Sequence, residues 1–140
     1  MEATLGRVIN PEGAGKERTQ LTRSVVLALR ALVQQNEPNQ ETRDLAAYIA
    51  LALLAIEETV NVSVQAWEKR GYWVKADRYR MEWAWSNKLG RAMKDAVLRE
   101  DWAYVASTAA QVAERLKDVE VPKRHHLGAP WVGARQRLSL

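Results

Sequence analysis

The residues of this chain whose chemistry suits metal binding or proton transfer are two adjacent carboxylates, Glu57 and Glu58, and two adjacent histidines, His125 and His126. Neighbouring residues on a helix point about 100° apart, so neither pair presents two ligands on one face. A two-metal helical bundle needs Glu-x-x-His pairs on facing helices, and the chain has none. We therefore expect no metal ion and no cofactor.

A nucleophile or a phosphate loop is not indicated either. The chain has no cysteine, and the serines and threonines inside its predicted helices have no histidine near them in sequence. Gly15 and Lys16 form a Gly-Lys pair, but a phosphate loop needs a glycine five residues earlier and a Ser or Thr after the lysine. Asn10 and Glu17 stand at those positions. We expect no catalytic residue and no enzymatic activity.

The most distinctive stretch runs from Trp67 to Trp85 and reads WEKRGYWVKADRYRMEWAW. It holds four of the six tryptophans and two of the four tyrosines. Charge changes sign around it: residues 37–68 have one basic side chain against six acidic ones, and residues 69–99 have nine against three. This stretch is therefore the candidate binding region.

A helical projection at 100° per residue divides residues 73–99 into two stripes. The predicted core stripe contains Val74, Met81, Trp85, Leu89, Ala92 and Ala96. The opposite stripe is predicted to be exposed and contains Arg80, Trp83, Asn87, Arg91 and Lys94, with Trp73 and Lys88 close to it. A second set of cations, Lys123, Arg124, Arg135 and Arg137, lies in residues 121–140, which contain no acid.

Three interpretations of the exposed stripe stay open. It is a solvated basic face whose arginines pair with nearby acids, a nucleic-acid surface, or a protein interface rich in Trp and Arg. The function we predict is non-enzymatic binding of single-stranded nucleic acid. The predicted contacts are Trp73, Arg80, Trp83, Lys88, Arg91 and Lys94, together with Lys123, Arg124, Arg135 and Arg137. The alternative is a protein-protein interaction or homo-oligomerisation module.

Four amphipathic helices must position these residues. Helix A is predicted from about Thr19 to before Pro38. Helix B follows a cap at Asn39 and ends at Gly71, helix C spans about residues 73–99, and helix D follows a cap at Asp101 and ends before Pro122. The sequence therefore predicts an all-α, up-down-up-down four-helix bundle with a long central antiparallel pair and a basic C-terminal tail.

The predicted organisation is an irregular N-terminal arm (1–18), a bundle domain (19–120) and the tail (121–140). Two local questions stay open. The start of helix B is apolar around most of its circumference, so it is either central in the monomer or faces the same helix of a second copy. The tail, with its spaced apolar residues, either becomes ordered on a partner or folds back over its own bundle.

Composition indicates the compartment. The absence of cysteine suits a reducing environment, and the N-terminus has no apolar segment typical of a signal peptide. The most apolar run, residues 45–56, is shorter than the ~20 residues of a membrane span. We expect a cytoplasmic protein with no membrane contact. In size, helical content and basic face the chain is similar to the small all-helical subunits of CRISPR effector complexes, a likeness of overall character that assigns no site residue.

Overall fold

The structure is a computed structural model that describes residues 10–140. All regular secondary structure in this range is helical, which confirms the predicted all-α class. The helices are α1 (Pro11–Val33), α2 (Gln40–Lys69), α3 (Trp73–Leu98), α4 (Trp102–Arg115) and α5 (Ala134–Leu138). Helix α2 packs against α1, α3 and α5, so it is the central element of the described chain.

Helix α1 begins at Pro11, well before the predicted start at Thr19. The side chain of Asn10 caps it by accepting from the backbone N–H of Glu12 at 3.0 Å, and proline suits the first helical position because its missing N–H has no helical partner there. The prediction that residues 11–18 are irregular is therefore wrong. Gly13 and Gly15 interrupt the apolar period that would indicate a helix, although Ala14 and Arg18, four residues apart, are both buried. Residues 1–9 of the predicted arm lie outside the described residues.

The buried Arg18 ties α1 to two other helices. One terminal nitrogen donates to the Thr59 carbonyl at 3.3 Å and to Ser63 Oγ at 2.8 Å, both on α2. The guanidinium carbon lies 5.0 Å from the centre of the Tyr79 ring on α3. Because these partners are neutral and burial removes water from the cation, the pKa of Arg18 is lowered.

Helix α2 starts at the predicted cap, where Asn39 accepts from the backbone N–H of Thr42 at 2.9 Å. From residue 44 to residue 53 every side chain except Leu51 is buried. The apolar start of α2 is therefore central within the chain, which is the first of the two alternatives above. By length and composition α2 also qualifies as a membrane span, with a mean hydropathy of 1.6, but 61% of that window is buried inside the fold.

Helices α2 and α3 approach each other closely. Contacts between them join Glu68 to Arg80 at 2.7 Å and Glu57 to Asn87 at 2.6 Å. A Cβ placed on Gly90 would lie 3.1 Å from the Cβ of Leu53, which is tighter than most real Cβ contacts. A side chain at position 90 would therefore require Leu53 or Leu54 to shift by a few tenths of an ångström.

The buried face of α3 differs from the predicted core stripe. Leu89 and Ala96 are buried as predicted, but Val74 is 66% exposed and Met81 is 78% exposed. The residues that are buried are Ala76, Ser86, Leu89, Gly90, Met93, Ala96 and Val97. Ser86, Gly90, Met93 and Val97 each follow a predicted core residue by one position. The buried face is therefore rotated by about 100° around the helix axis from the predicted one. The close approach of α2 favours small residues such as Ser86 and Gly90 on the buried face of α3. A projection based on hydrophobicity gives such residues little weight.

Helix α4 is capped as predicted, since Asp101 accepts from the backbone N–H of Tyr104 at 3.1 Å. Val105, Thr108 and Val112 are its buried residues, and Leu116 follows as the buried C-cap. Ala106 and Ala113, although apolar, are exposed. The helix packs mainly on α3, so part of its apolar surface is left uncovered.

The C-terminal segment folds back onto the other helices. Helix α5 buries Ala134 and Leu138 and packs on α2. Asp44 of α2 holds its N-terminus, accepting from the backbone N–H groups of Gly133 at 3.1 Å and Arg135 at 2.9 Å. Of the two alternatives for the tail, the structure has the one in which the tail covers its own bundle.

Replacing Asp44 with alanine is expected to lower the free energy of unfolding by about 1–2 kcal/mol, because the start of α5 loses the carboxylate that accepts from two of its backbone N–H groups. Urea denaturation measures this loss, and hydrogen exchange at residues 133–138 should accelerate. Asp118→Ala, at an exposed acid, is the matched control and should change neither quantity. Unchanged protection of α5 in the Asp44 variant would contradict the role of this contact.

Candidate nucleic-acid interface

The largest exposed aromatic side chains lie at the turn between α2 and α3, which we call the α2–α3 tip (residues 69–78). Trp73 is 60% exposed and Tyr72 is 53% exposed. Together with Gly71, Val74 and Lys75 they line a shallow cavity of about 510 Å³. Flat rings at the surface are unusual because burying them is favourable, so this tip presents area for a ligand to cover.

Cations surround these rings. Lys69, Arg70, Lys75 and Arg78 are all exposed, and none of them forms an ion pair within the described residues. The ammonium of Lys75 lies 4.4 Å from the centre of the Trp67 ring, a cation-π contact. The tip therefore combines exposed rings with four cations that pair with no acid of the described residues.

The sequence around Gly71 explains why no neighbouring helix covers the tip. Gly71 takes φ +83°, the left-handed conformation that only glycine adopts freely, and the chain then returns so that the Tyr72 N–H donates to the Trp67 carbonyl at 2.9 Å. This confirms the predicted end of helix B. The reversal leaves Tyr72 and Trp73 at the extreme end of the helix pair, where neither helix covers them.

The start of α3 adds a polar feature to the tip. Tyr72 occupies its N-cap position without a side-chain cap hydrogen bond, and the first turn contains no acid. The first backbone N–H groups of a helix have no intrahelical acceptor, and the helix dipole makes this end positive. An anion such as a phosphate is therefore favoured beside Trp73.

Trp83, predicted to be exposed on the basic stripe, lies against α2 instead. It is only partly exposed, it packs on the core, and its indole nitrogen is buried without a hydrogen-bond partner. The prediction that Trp83 presents an open stacking face is therefore wrong. Its ring belongs to a series of contacts that runs from Trp67 through Tyr79 (5.0 Å between centres) and Trp83 (6.3 Å) to Trp85 (5.9 Å).

Arg80 is neutralised by acids of its own chain. It donates to Glu68 at 2.7 Å and to Asp77 at 2.9 Å, and the hydrogen bond that it donates to Glu68 is the main cause of a raised pKa for Arg80. This agrees with the interpretation of the stripe as a solvated basic face, in which arginines pair with nearby acids. These two ion pairs occupy Asp77, the one acid of the tip, and Glu68, which lies next to it in sequence, so the four cations of the tip keep no acid of the tip as a partner.

Lys88, Arg91 and Lys94 are exposed as predicted and form no ion pair within the described residues. They are not adjacent to Trp73, because 21 residues of helix separate Trp73 from Lys94, or about 30 Å. The structure thus leaves them as a basic extension along α3, while the exposed ring lies at the tip.

The predicted tail cations lie in a different region. Arg135 donates to Ser139, and Arg137 donates to the carbonyl oxygens of Val132 and Pro130 at 3.3 and 3.1 Å. Helix α5 sits on the start of α2, about 40 Å along that helix from Arg70. Lys123 and Arg124 are exposed. The structure does not bring Arg135 or Arg137 to the tip.

Sequence reasoning missed Lys69, Arg70, Tyr72, Lys75 and Arg78 as candidate contacts. The signal that identifies them is the glycine that ends helix B, since rings and cations on both sides of a sharp helical turn have no neighbouring helix to bury them.

The described residues contain no cluster of three or more His, Asp or Glu side chains suited to a metal ion. What the tip can do chemically is to bind an anionic, ring-bearing ligand. Comparison of the chain with models of protein families, with curated proteins and with solved structures finds no match.

Proposed function

We propose that this protein is a non-enzymatic, cytoplasmic accessory subunit that binds single-stranded nucleic acid through the α2–α3 tip. The observation that carries the proposal is the exposure of Trp73 and Tyr72 beside four cations without ion pairs. Binding of single strands without sequence preference combines these two features, since cations follow the phosphates and rings stack on bases.

Each part of the tip has a role in this proposal. Lys69, Arg70, Lys75 and Arg78 attract the backbone, and the uncapped start of α3 accepts one phosphate. The Trp73 ring stacks on a base whose own stacking partners have been removed. A paired duplex hides its base faces, so exposed rings favour single strands.

The strand extends from the tip along α3 toward Lys88, Arg91 and Lys94. This path requires that α2 and α3 run side by side, which we propose as part of an antiparallel, up-down-up-down arrangement of α1 to α4. Three α2–α3 contacts support it: 68 with 80, 57 with 87 and 53 with 90, which advance in opposite directions along the two helices.

A protein-interaction role is the second candidate, and the exposed Val74 and Met81 favour it. They lie seven residues apart on one face of α3 and are more exposed than either ring of the tip. Stacking on a base does not need these aliphatic side chains, whereas a protein partner buries them. The start of α2, by contrast, is mostly buried within the chain, which makes it a weaker candidate for contact with a second copy.

Titration of the wild-type protein with a single-stranded oligonucleotide tests the proposal. We expect quenching of tryptophan fluorescence at low salt, because Trp73 is exposed where a base would stack. Affinity should fall as salt rises, with a slope of log K against log salt of about −3 or steeper, since the four cations of the tip alone release ~0.7 counterions each on single strands and Lys88, Arg91 and Lys94 add to them. Absence of quenching, or affinity independent of salt, would remove this function in favour of the protein partner.

A further inference from the structure

The face of α3 that carries Val74 and Met81 lies beside another helix along only part of its length. Residues 74, 78, 81, 85, 88 and 92 follow one another at alternating spacings of four and three, which places them on one line along the helix. We call this line the α3 seam. From residue 85 onward the seam adjoins α4, because Trp85 and Lys88 line a cavity of about 210 Å³ together with residues of that helix, namely Gln111, Glu114 and Arg115.

Helix α4 ends before it reaches the first half of the seam. Its last residue is Arg115, whose guanidinium carbon lies 6.0 Å from the centre of the Trp85 ring. Toward the tip the seam is open, since Val74 is 66% exposed and Met81 is 78% exposed. The open half therefore offers apolar side chains over about 17 Å of helix, the rise of eleven residues.

The charge along the seam has one sign. Arg78 lies between Val74 and Met81 on the open half, and Lys88 and Arg115 lie where α4 ends. All three cations are exposed, and none of them forms an ion pair within the described residues. No seam position holds an acid. An occupant that brings carboxylates is therefore favoured.

These features select the kind of occupant. Aliphatic side chains offer no ring on which a base can stack, so the open half does not suit nucleic acid. A second copy of the chain would bring two sets of the same cations together, which is unfavourable. Alternating spacings of four and three are the pattern into which the side chains of a second helix insert, and α4 already packs on the other half of α3.

We propose that the open half of the α3 seam docks an acidic amphipathic helix of a partner protein, which continues the path of α4 toward the tip. The apolar side chains of the partner helix cover Val74 and Met81, and its acids face Arg78 and Arg115. Trp73 lies about 100° around the helix axis from Val74, so the ring of the tip stays open to a strand. This inference goes beyond strand binding and does not depend on it.

The test uses the full chain and two labelled synthetic peptides of two heptads, about 21 Å long as helices. Both have leucine at the first and fourth positions of each heptad. One has glutamate at the flanking positions and the other has lysine. A side-chain cross-link on the outer face holds each peptide helical, because isolated helices this short are marginal in water. By fluorescence anisotropy we expect the glutamate peptide to bind at least about tenfold more tightly than the lysine peptide.

Variants of the chain locate the contact. Val74→Ser combined with Met81→Ser should weaken binding of the glutamate peptide by about tenfold, because apolar area is no longer buried. Val33→Ser is the matched control, since Val33 is a 79% exposed valine of α1 away from the seam, and it should leave the affinity unchanged. Arg78→Glu combined with Arg115→Glu should reverse the preference toward the lysine peptide.

Trp73→Ala keeps this inference separate from the proposed function, because it should weaken strand binding and leave peptide binding unchanged. Equal affinity for the two peptides, or an equal loss in the Val33 control, would overturn the docking site. Binding of neither peptide would overturn it as well and leave the strand-binding proposal standing. A dimer at high protein concentration that Val74→Ser with Met81→Ser abolishes would assign the seam to a second copy instead.

Discussion

Replacing Trp73 with alanine is expected to weaken binding of a single-stranded oligonucleotide by about tenfold to a hundredfold. Each base stacked on an aromatic ring contributes ~1–3 kcal/mol, and Trp73 is the most exposed ring of the tip. Because the side chain is 60% exposed, its removal leaves no cavity in the core and the free energy of unfolding should stay within ~0.5 kcal/mol of the wild-type value.

The charges of the tip should contribute separately from the ring. Lys69→Glu combined with Arg70→Glu is expected to weaken binding at low salt and to reduce the salt slope by about 1.4, since two phosphate contacts are lost. Anisotropy of a labelled strand measures both variants, because it does not depend on the tryptophan that one of them removes.

Matched controls separate the tip from general surface effects. Tyr104→Ala removes an exposed ring of α4, and Lys16→Glu with Arg30→Glu reverses two exposed cations of α1. The ring control should bind as the wild type does, and the charge control should change binding less than the tip double variant does. Equal losses from control and tip variants would show that binding is non-specific attraction to the basic chain, and would contradict the assignment of the tip.

Gly90→Val is expected to lower the free energy of unfolding by about 3 kcal/mol, the largest effect on stability that we predict. The new Cβ would lie 3.1 Å from both Leu53 Cβ and Leu54 Cδ2, and Leu53 is fully buried, so its Cβ cannot move without its backbone. Overpacking of this kind costs ~1–3 kcal/mol, and the two γ carbons of valine enlarge it. Gly90→Ala should cost less, because alanine also gains ~1 kcal/mol of helix propensity.

The control substitution for Gly90 is Gly15→Ala, which is expected to raise the free energy of unfolding rather than lower it. Gly13 and Gly15 also lie inside a helix, but a Cβ at either position meets no atom within 4 Å. Gly15→Ala should therefore raise the free energy of unfolding by about 0.5–1 kcal/mol. Urea denaturation of the three variants measures these changes. A Gly90→Val protein as stable as the wild type would mean that α2 and α3 do not approach as closely as described.

Much of the fold could be predicted from local signals. Asn39 and Asp101 cap the helices that follow them, and Gly71 ends α2, each as predicted. These features depend on a few neighbouring residues, whose side chains satisfy backbone groups that the helix ends leave free. The start of α1 was missed, although Asn10 and Pro11 carry the same kind of signal, because Gly13 and Gly15 interrupt the apolar period that marks a helix.

The candidate site was predicted only in part. Trp73 is exposed as expected, but Trp83 is not, and the error follows from the rotation of α3 by about one residue. A projection places large apolar side chains toward the core, whereas the close contact with α2 places Ser86 and Gly90 there. The outward position of Met81 has the same cause.

The sequence by itself determined where α2 and α3 begin and end and where α4 begins, because capping and periodicity act within a few residues; α4 ends at Arg115, earlier than the predicted end before Pro122. It also determined that rings and cations concentrate around Gly71. Only the tertiary structure decided which of them are exposed. Exposure depends on which face a helix turns to its neighbour, and that face is selected by how closely two backbones can pack. Likewise, only the folded chain brings Asp44 to the start of α5, 89 residues away, and so packs the basic tail against the other helices.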